Sequence, residues 1–424
     1  MLNTVVNDND TSSTEEENRT RHAEYSVTDR GDCYEIQNIL LSDAATILFT
    51  RHKETKQAVV MKVLRKFADT RYCFDTLHKR QDCQREALRW NKLFASGVYR
   101  GLSAILDQNE KEIWIGAICN DPAEEENGQG AERDYALIME PLPDEQRLDL
   151  LLNLLIQEQN SEACEKVIDI LAEQVAYMHK KLVEPAEKEI DGLQVGSIEQ
   201  LRKKLEHNMS FLKKVIERKD GDRYRQYRWL KRGLQQILQH PQYVSSFEQR
   251  MGNQYIKRCH GDLKAPNIWI DLSELENHKE NGQCVKILDT VDFKPLYCNI
   301  DILSDFAMLV ADLLVRMRAT RRAERMIERM IGRYLQLTGQ VNERARSVLS
   351  YYVIEKAVVG ATVNILYDNA PNLGLAFFEI AEKRMKALER ELGIKIARNV
   401  SEEEEKTTAF KNYRKQWLKE VVFL

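Results

Sequence analysis

The chain has 424 residues, 43% hydrophobic and 31% charged, a balance that excludes wholesale disorder and, at this length, suggests more than one compact unit. Its 63 Lys and Arg against 67 Asp and Glu leave a net charge of −4, so the overall charge nominates neither a nucleic acid nor a membrane surface as partner. Eighteen Gly and eight Pro are few for a turn-rich all-β chain, and helix is expected to outweigh strand.

In chain order, residues 1–28 combine Asn-Asp-Asn-Asp, Thr-Ser-Ser-Thr and Glu-Glu-Glu with few large apolar side chains. They are expected to form a disordered acidic tail with no secretory signal. Runs rich in β-formers at 45–50, 58–64, 113–118 and 135–139 read as strands of one small antiparallel sheet. Residues 80–95 set Leu88, Trp90, Leu93 and Phe94 among charges at helical spacing, a single helix interrupting that sheet. From Pro143 onward apolar residues recur every three or four positions, so 143–424 is expected to be a mostly helical lobe behind a sheet-bearing lobe at 29–142. No apolar run approaches the roughly 18 residues of a membrane span. The eight cysteines show no CxxC pair and no Cys/His cluster at zinc spacing, so free thiols in a cytoplasmic setting are expected.

The most informative segment is 258–270, where His260, Gly261, Asp262 and Asn267 fall in the spacing H-G-D-x-x-x-x-N. An aspartate and an asparagine five residues apart, on a loop before a strand, suit two tasks. The carboxylate can face an attacking hydroxyl while the amide oxygen ligates Mg²⁺ beneath nucleotide phosphates. Some twenty residues on, the apolar run Val285-Lys-Ile-Leu ends at Asp289, where a second magnesium ligand would be needed, within a segment spanning 285–293. No GxxxxGK[ST] loop occurs, so the phosphates require another grip.

These residues resemble the aminoglycoside phosphotransferase and choline kinase-like superfamily, small-molecule relatives of protein kinases, and in particular a bacterial branch often fused to a P-loop ATP-binding domain. No such domain lies within these residues. The resemblance extends over 35–392. Val59-Val-Met-Lys62 and Arg85-Glu86 match the strand lysine and helix glutamate that pair in that fold, and 138–148, around Glu140, matches the hinge and the helix behind it. It implies an α+β, protein-kinase-like bilobal fold with ATP between the lobes. It also implies Asp262 as catalytic base and Lys62 on the α/β-phosphates; Lys264 departs from the superfamily pattern and resembles protein-kinase loops at that one residue, where a lysine can hold the γ-phosphate. Main-chain contacts to adenine near Glu140 and Mg²⁺ held by Asn267 and Asp289 complete the set. By the same resemblance Asp305 braces the catalytic loop, although Asp301 and Asp305 also suit capping of the helix that follows. His260 reads as a loop-ordering imidazole before it reads as a base. Asp292 is either a further metal-side carboxylate or a solvated one. Where the superfamily has a phosphate-covering loop, residues 41–46 offer only small side chains.

Two stretches are basic: 200–232 has twelve Lys and Arg against four acids, interleaved with Tyr224, Tyr227 and Trp229, and 311–334 has seven Arg against three acids. Each is either a solvated helix face or a surface for an anion such as a phosphorylated metabolite, a nucleotide or RNA. Polycationic aminoglycosides would need the opposite charge. The expected activity is therefore ATP- and Mg²⁺-dependent phosphoryl transfer to a neutral or anionic hydroxyl-bearing small molecule. The alternative is a catalytically silent nucleotide-binding or RNA-associated scaffold of the same fold.

Overall fold

The computed structural model describes residues 31–42, 44–68, 72–124, 132–185, 187–216, 221–274, 284–318, 320–367, 370–394 and 396. The tail expected at 1–28 lies outside them. The described residues form two compact units. Unit 1 draws on Met1–Phe67, Phe74–Gln84 and Arg100–Pro141, and unit 2 on Ala68–Cys73, Arg85–Tyr99 and Leu142–Leu424.

Unit 1 is built on six strands: β1 (Asp32–Leu41), β2 (Ala45–His52), β3 (Ala58–Leu64), β4 (Tyr99–Gln108), β5 (Glu112–Ile115) and β6 (Tyr135–Met139). They run in the order β1-β2-β3-β6-β4-β5 and close into a barrel, because β1 pairs antiparallel with β5 as well as with β2. Closure is helped by bulges that bend two strands. In β1 the register slips between Ile36 and Asn38, and in β4 between Ile105 and Asp107. Alternate residues fill the interior, among them Val59 and Met61 of β3, Ile113 and Ile115 of β5, and Ala136 and Ile138 of β6. Two of these strands, β3 and β6, have the bounds their apolar runs suggest. The four-strand expectation becomes six, since β1 and β4 join the sheet.

Helix α1 (Leu77–Phe94) begins earlier than expected, and its residues through Gln84 group with unit 1. Arg80 forks onto Asp134 at 2.7 and 2.9 Å, and the Gln84 amide donates to the Lys62 carbonyl at 2.8 Å. The helix is thereby fastened to the start of β6 and to β3.

Unit 2 is largely helical: α2 (Leu148–Gln157), α3 (Ser161–Lys181), α4 (Ile198–Ile216), α5 (Gly221–Ile237), α6 (Pro241–Gly252), α7 (Pro295–Cys298), α8 (Ile302–Arg316), α9 (Arg321–Leu337), α10 (Glu343–Leu366) and α11 (Pro371–Leu392). Three two-stranded ribbons punctuate it, formed by β7 (Glu189–Ile190) with β8 (Leu193–Gln194), β10 (Ile268–Ile270) with β11 (Val285–Ile287), and β9 (Ile256–Arg258) with β12 (Asn299–Asp301). Side-chain caps set several helix starts: Asn160 accepts from Ala163 N–H, Thr320 from Ala323 and Asn342 from Ala345. The basic stretch 311–334 is accordingly divided between the end of α8 and α9.

At its centre lies α10. It is the only helix among the described residues long and apolar enough to cross a membrane, yet 72% of its apolar window is buried inside the protein. It is a core helix, packed by α4, α8 and α11. Its approach to α11 is close enough that a side chain at Gly374 would lie 2.9 Å from the Ala361 carbonyl.

Candidate functional site

The segment singled out by its spacing is a tight loop in unit 2 between β9 and β10. Gly261 has φ +88°, and a Cβ there would sit 3.0 Å from both the Tyr297 carbonyl and Val291. Glycine is required on both counts. The loop then enters a short 3₁₀ turn at Ala265–Asn267 and continues into β10.

Asp262 is half-buried and its carboxylate is held on one side. The Asn267 amide nitrogen donates to the Asp262 carbonyl at 3.0 Å and to its Oδ2 at 3.2 Å, and the Lys264 ammonium lies 2.9 Å from the same Oδ2. No hydrogen bond is made by Oδ1 to the described residues. Because the Asn267 nitrogen is committed to Asp262, its carbonyl oxygen is turned away as a separate donor.

Two buried aspartates of α8 hold the loop backbone. Asp305 accepts from His260 N–H at 3.1 Å and Gly261 N–H at 2.8 Å, while His179 of α3 meets it at 3.1 Å and is itself tied to the Tyr334 hydroxyl at 2.6 Å. Burial alone would raise the Asp305 pKa, but the hydrogen bond and charge from His179 and the Gly261 N–H outweigh it and hold the carboxylate below its ordinary range. Asp312 accepts from Ala265 N–H at 2.8 Å and pairs with Arg316 at 2.9 Å, which also reaches Asp149. Asp301 is the N-cap of α8, accepting from Leu303 N–H and gripped by Arg250. Of Asp301 and Asp305, the first caps the helix and the second braces the loop.

His260 is fully buried. Its Nε2 faces the Leu288 carbonyl at 2.9 Å and its Nδ1 accepts from Asp262 N–H at 3.3 Å. Burial lowers its pKa against the opposing pull of Asp305 and Asp262. A neutral imidazole with both nitrogens engaged by backbone orders the loop and has no lone pair to take a proton from a substrate. This fits the loop-ordering reading of His260 better than the reading as a base.

Asp289 follows β11. The register Ile268↔Ile287 and the Leu288 N–H bond to the Asn267 carbonyl at 2.8 Å put it one residue beyond the pair that Asn267 makes across the ribbon. Its φ is +62°, a left-handed conformation that costs a non-glycine residue free energy but that Asp tolerates. The Tyr99 hydroxyl accepts its N–H at 3.1 Å, and the next N–H, of Thr290, goes to the Asn91 side chain at 3.0 Å. The strained turn is therefore pinned, as strained turns at functional sites tend to be.

The remaining candidates are distributed differently. Lys62, on β3 of unit 1, is half-buried, with Ile47 and Leu137 as cross-strand neighbours. Glu140 follows β6 and is paired with Arg100. Glu86 lies in unit 2, where its carboxylate accepts from the Trp90 indole at 2.7 Å and faces Arg89.

The basic stretches resolve into two cases. On α9, Arg329 pairs with Asp169 and Glu165 and Arg333 with Glu173, all on α3, so those charges are answered within the protein. On α5, Tyr227 and Trp229 are each 3% exposed, core residues that cannot serve as stacking platforms for bases. The ligand atoms of His179, Cys259 and Asp305 lie within 4.8 Å of one another. Each is already spent, since Cys259 donates to the Ile300 carbonyl and burial keeps its thiol neutral.

The His179–Asp305–Tyr334 brace was not visible in the sequence, where His179 merely ends an amphipathic helix. A signal existed only for Asp305. No family model matches the chain, and no curated protein matches it. Among solved structures it is similar to an ethanolamine kinase of Plasmodium vivax, at 13% identity over 84% of this chain and 82% of that one, with a TM-score of 0.41. It is also similar to a choline kinase from Cryptosporidium parvum, at 11% identity over 85% and 89%, with a TM-score of 0.44. At those values the chemistry has to be argued from the residues themselves.

Proposed function

We propose that the chain is an ATP- and Mg²⁺-dependent phosphotransferase of protein-kinase-like fold that acts on the hydroxyl group of a small acceptor. The observation that carries this reading is the joint arrangement of Asp262, Asn267 and Asp289. One carboxylate oxygen is unengaged, one amide oxygen is turned outward by its own nitrogen, and a second carboxylate stands on a pinned, left-handed turn beside it. All the donors are hard oxygens, which suits Mg²⁺ and not a soft metal.

In this reading Asn267 and Asp289 hold Mg²⁺, which when bound neutralises charge on the nucleotide phosphates. Asp262 Oδ1 orients the acceptor hydroxyl and takes its proton as the oxygen bonds to the γ-phosphorus and the bond to ADP breaks. Lys264, fixed on Oδ2, keeps the carboxylate in one rotamer and lends positive charge to the transferring group. Lys62 is assigned to the α/β-phosphates and the main chain at Glu140 to the adenine edge. His260, Asp305 and Asp312 bind nothing; they hold the loop so that Asp262 needs no reorganisation at the moment of reaction.

The test is release of ADP by the purified protein in Mg-ATP with a panel of sugars, nucleosides, hydroxy acids, phosphorylated metabolites and amino alcohols. Acceptor-dependent, saturable release is expected for at least one class. Binding of Mg-ATP without release for any acceptor would favour the silent nucleotide-binding scaffold instead.

A further inference from the structure

The face of α4 that carries Lys204, His207 and Asn208 at positions i, i+3 and i+4 packs toward α10. Mid-way along that buried core helix stand two charged residues, Glu355 and Lys356, 6% and 8% exposed. The Asn208 amide donates to Glu355 Oε1 at 2.8 Å, and the Lys356 ammonium lies 3.3 Å from Oε2. Glu355 is thus satisfied by those two groups. Lys204 faces Lys356 and Glu355 but makes no hydrogen bond or ion pair with the described residues. Two ammonium groups share one carboxylate that is already occupied. Lys204 is part-buried. Burial and Lys356 push its pKa down to about 8, which still leaves it charged at neutral pH. Uncompensated charge in such a place is costly unless a counter-ion arrives.

The cluster is continuous with the backing of the catalytic loop. Cys259, which precedes His260, donates its N–H to the Cys298 carbonyl at 2.7 Å, and the charge of Lys204 reaches both cysteines. Lys294, one turn before Cys298, stands near His207.

We propose that Lys204 and Lys356, with Lys294 at the rim, form an anion subsite, and that the acceptor carries a phosphate or carboxylate group held there while its hydroxyl meets Asp262. That the anion belongs to an acceptor rests on the phosphotransferase reading; the subsite itself does not. It gives the acceptor a class, a hydroxyl compound with a negatively charged end, and excludes polycations such as aminoglycosides.

The experiment is calorimetric titration of the full chain with inorganic phosphate and, separately, acetate, with Mg-ADP saturating so that nucleotide phosphate contacts are filled. At least one anion is expected to bind, with affinity falling tenfold or more in Lys204→Gln and staying within threefold in Lys204→Arg. In anion-free buffer Lys204→Gln is expected to melt at or above the parent, because it relieves repulsion from Lys356. Absence of binding by both anions, equal binding by parent and Lys204→Gln, or a lower melting temperature for that variant would overturn the subsite. Anion binding through Lys204 in a chain that releases no ADP with any acceptor would keep the subsite and remove the kinase reading. ADP release with no Lys204-dependent anion binding would do the reverse.

Discussion

Two sets of buried charges in unit 2 are built on opposite rules. Behind the loop that carries Asp262 the buried carboxylates are answered in full, Asp305 by two backbone N–H groups and His179, Asp312 by Ala265 N–H and Arg316. Between α4 and α10 the accounts do not close, since Lys204 and Lys356 share a single carboxylate. A closed set fixes geometry, whereas an open set leaves charge that a ligand of the missing sign would neutralise.

The comparison is broken most severely at Asp305. Asp305→Ala leaves two loop N–H groups and His179 without their acceptor, and a loss of about 3–5 kcal/mol is expected for opening a buried pair of this kind. Chemical denaturation measures it. A change below about 1 kcal/mol would mean that the loop holds its shape without α8.

A smaller effect sharpens the comparison through pH. Burial, with Lys294 and Lys214, lowers the His207 pKa from 6.5 to about 4, so the folded side chain stays neutral where the unfolded chain takes up a proton. Its stabilising contribution is complete above pH 6.5 and is lost progressively as pH falls toward about 4. Asp305 is depressed below the ordinary 3.8, so its contribution is complete above that value and is lost only as pH falls through the lower folded one. Melting curves between pH 7 and 4.5 are therefore expected to show a slope that His207→Asn flattens and that the loop brace does not share. An unchanged slope in the variant would place the titration elsewhere.

How much was legible followed from how local each feature is. Strand β6 is an unbroken apolar run and β3 one interrupted only by Lys62, so both read directly, as did the helix carrying Leu88 and Trp90. Strands β1 and β4 did not read, because a bulge in each shifts the alternation of side chains partway along. That Asp262, Asn267 and Asp289 come together was legible because their placement is set by spacing within one loop and one ribbon. Charge counting failed on α9, where Arg329 and Arg333 are answered by residues about 160 positions earlier on α3, a distance no local pattern spans. On α4 it could not show that Asn208 meets Glu355, because that partner lies 147 positions later on α10.

The central claim is that the Asp262 carboxylate takes part in phosphoryl transfer. Its most direct test is the rate of ADP release, with an acceptor found by the panel, for Asp262→Asn against the parent at saturating Mg-ATP. The account predicts a fall in kcat of about a hundredfold or more, with Mg-ADP affinity and melting temperature little changed, because Asp262 touches the acceptor and not the nucleotide. A variant that releases ADP at the parent's rate would contradict it.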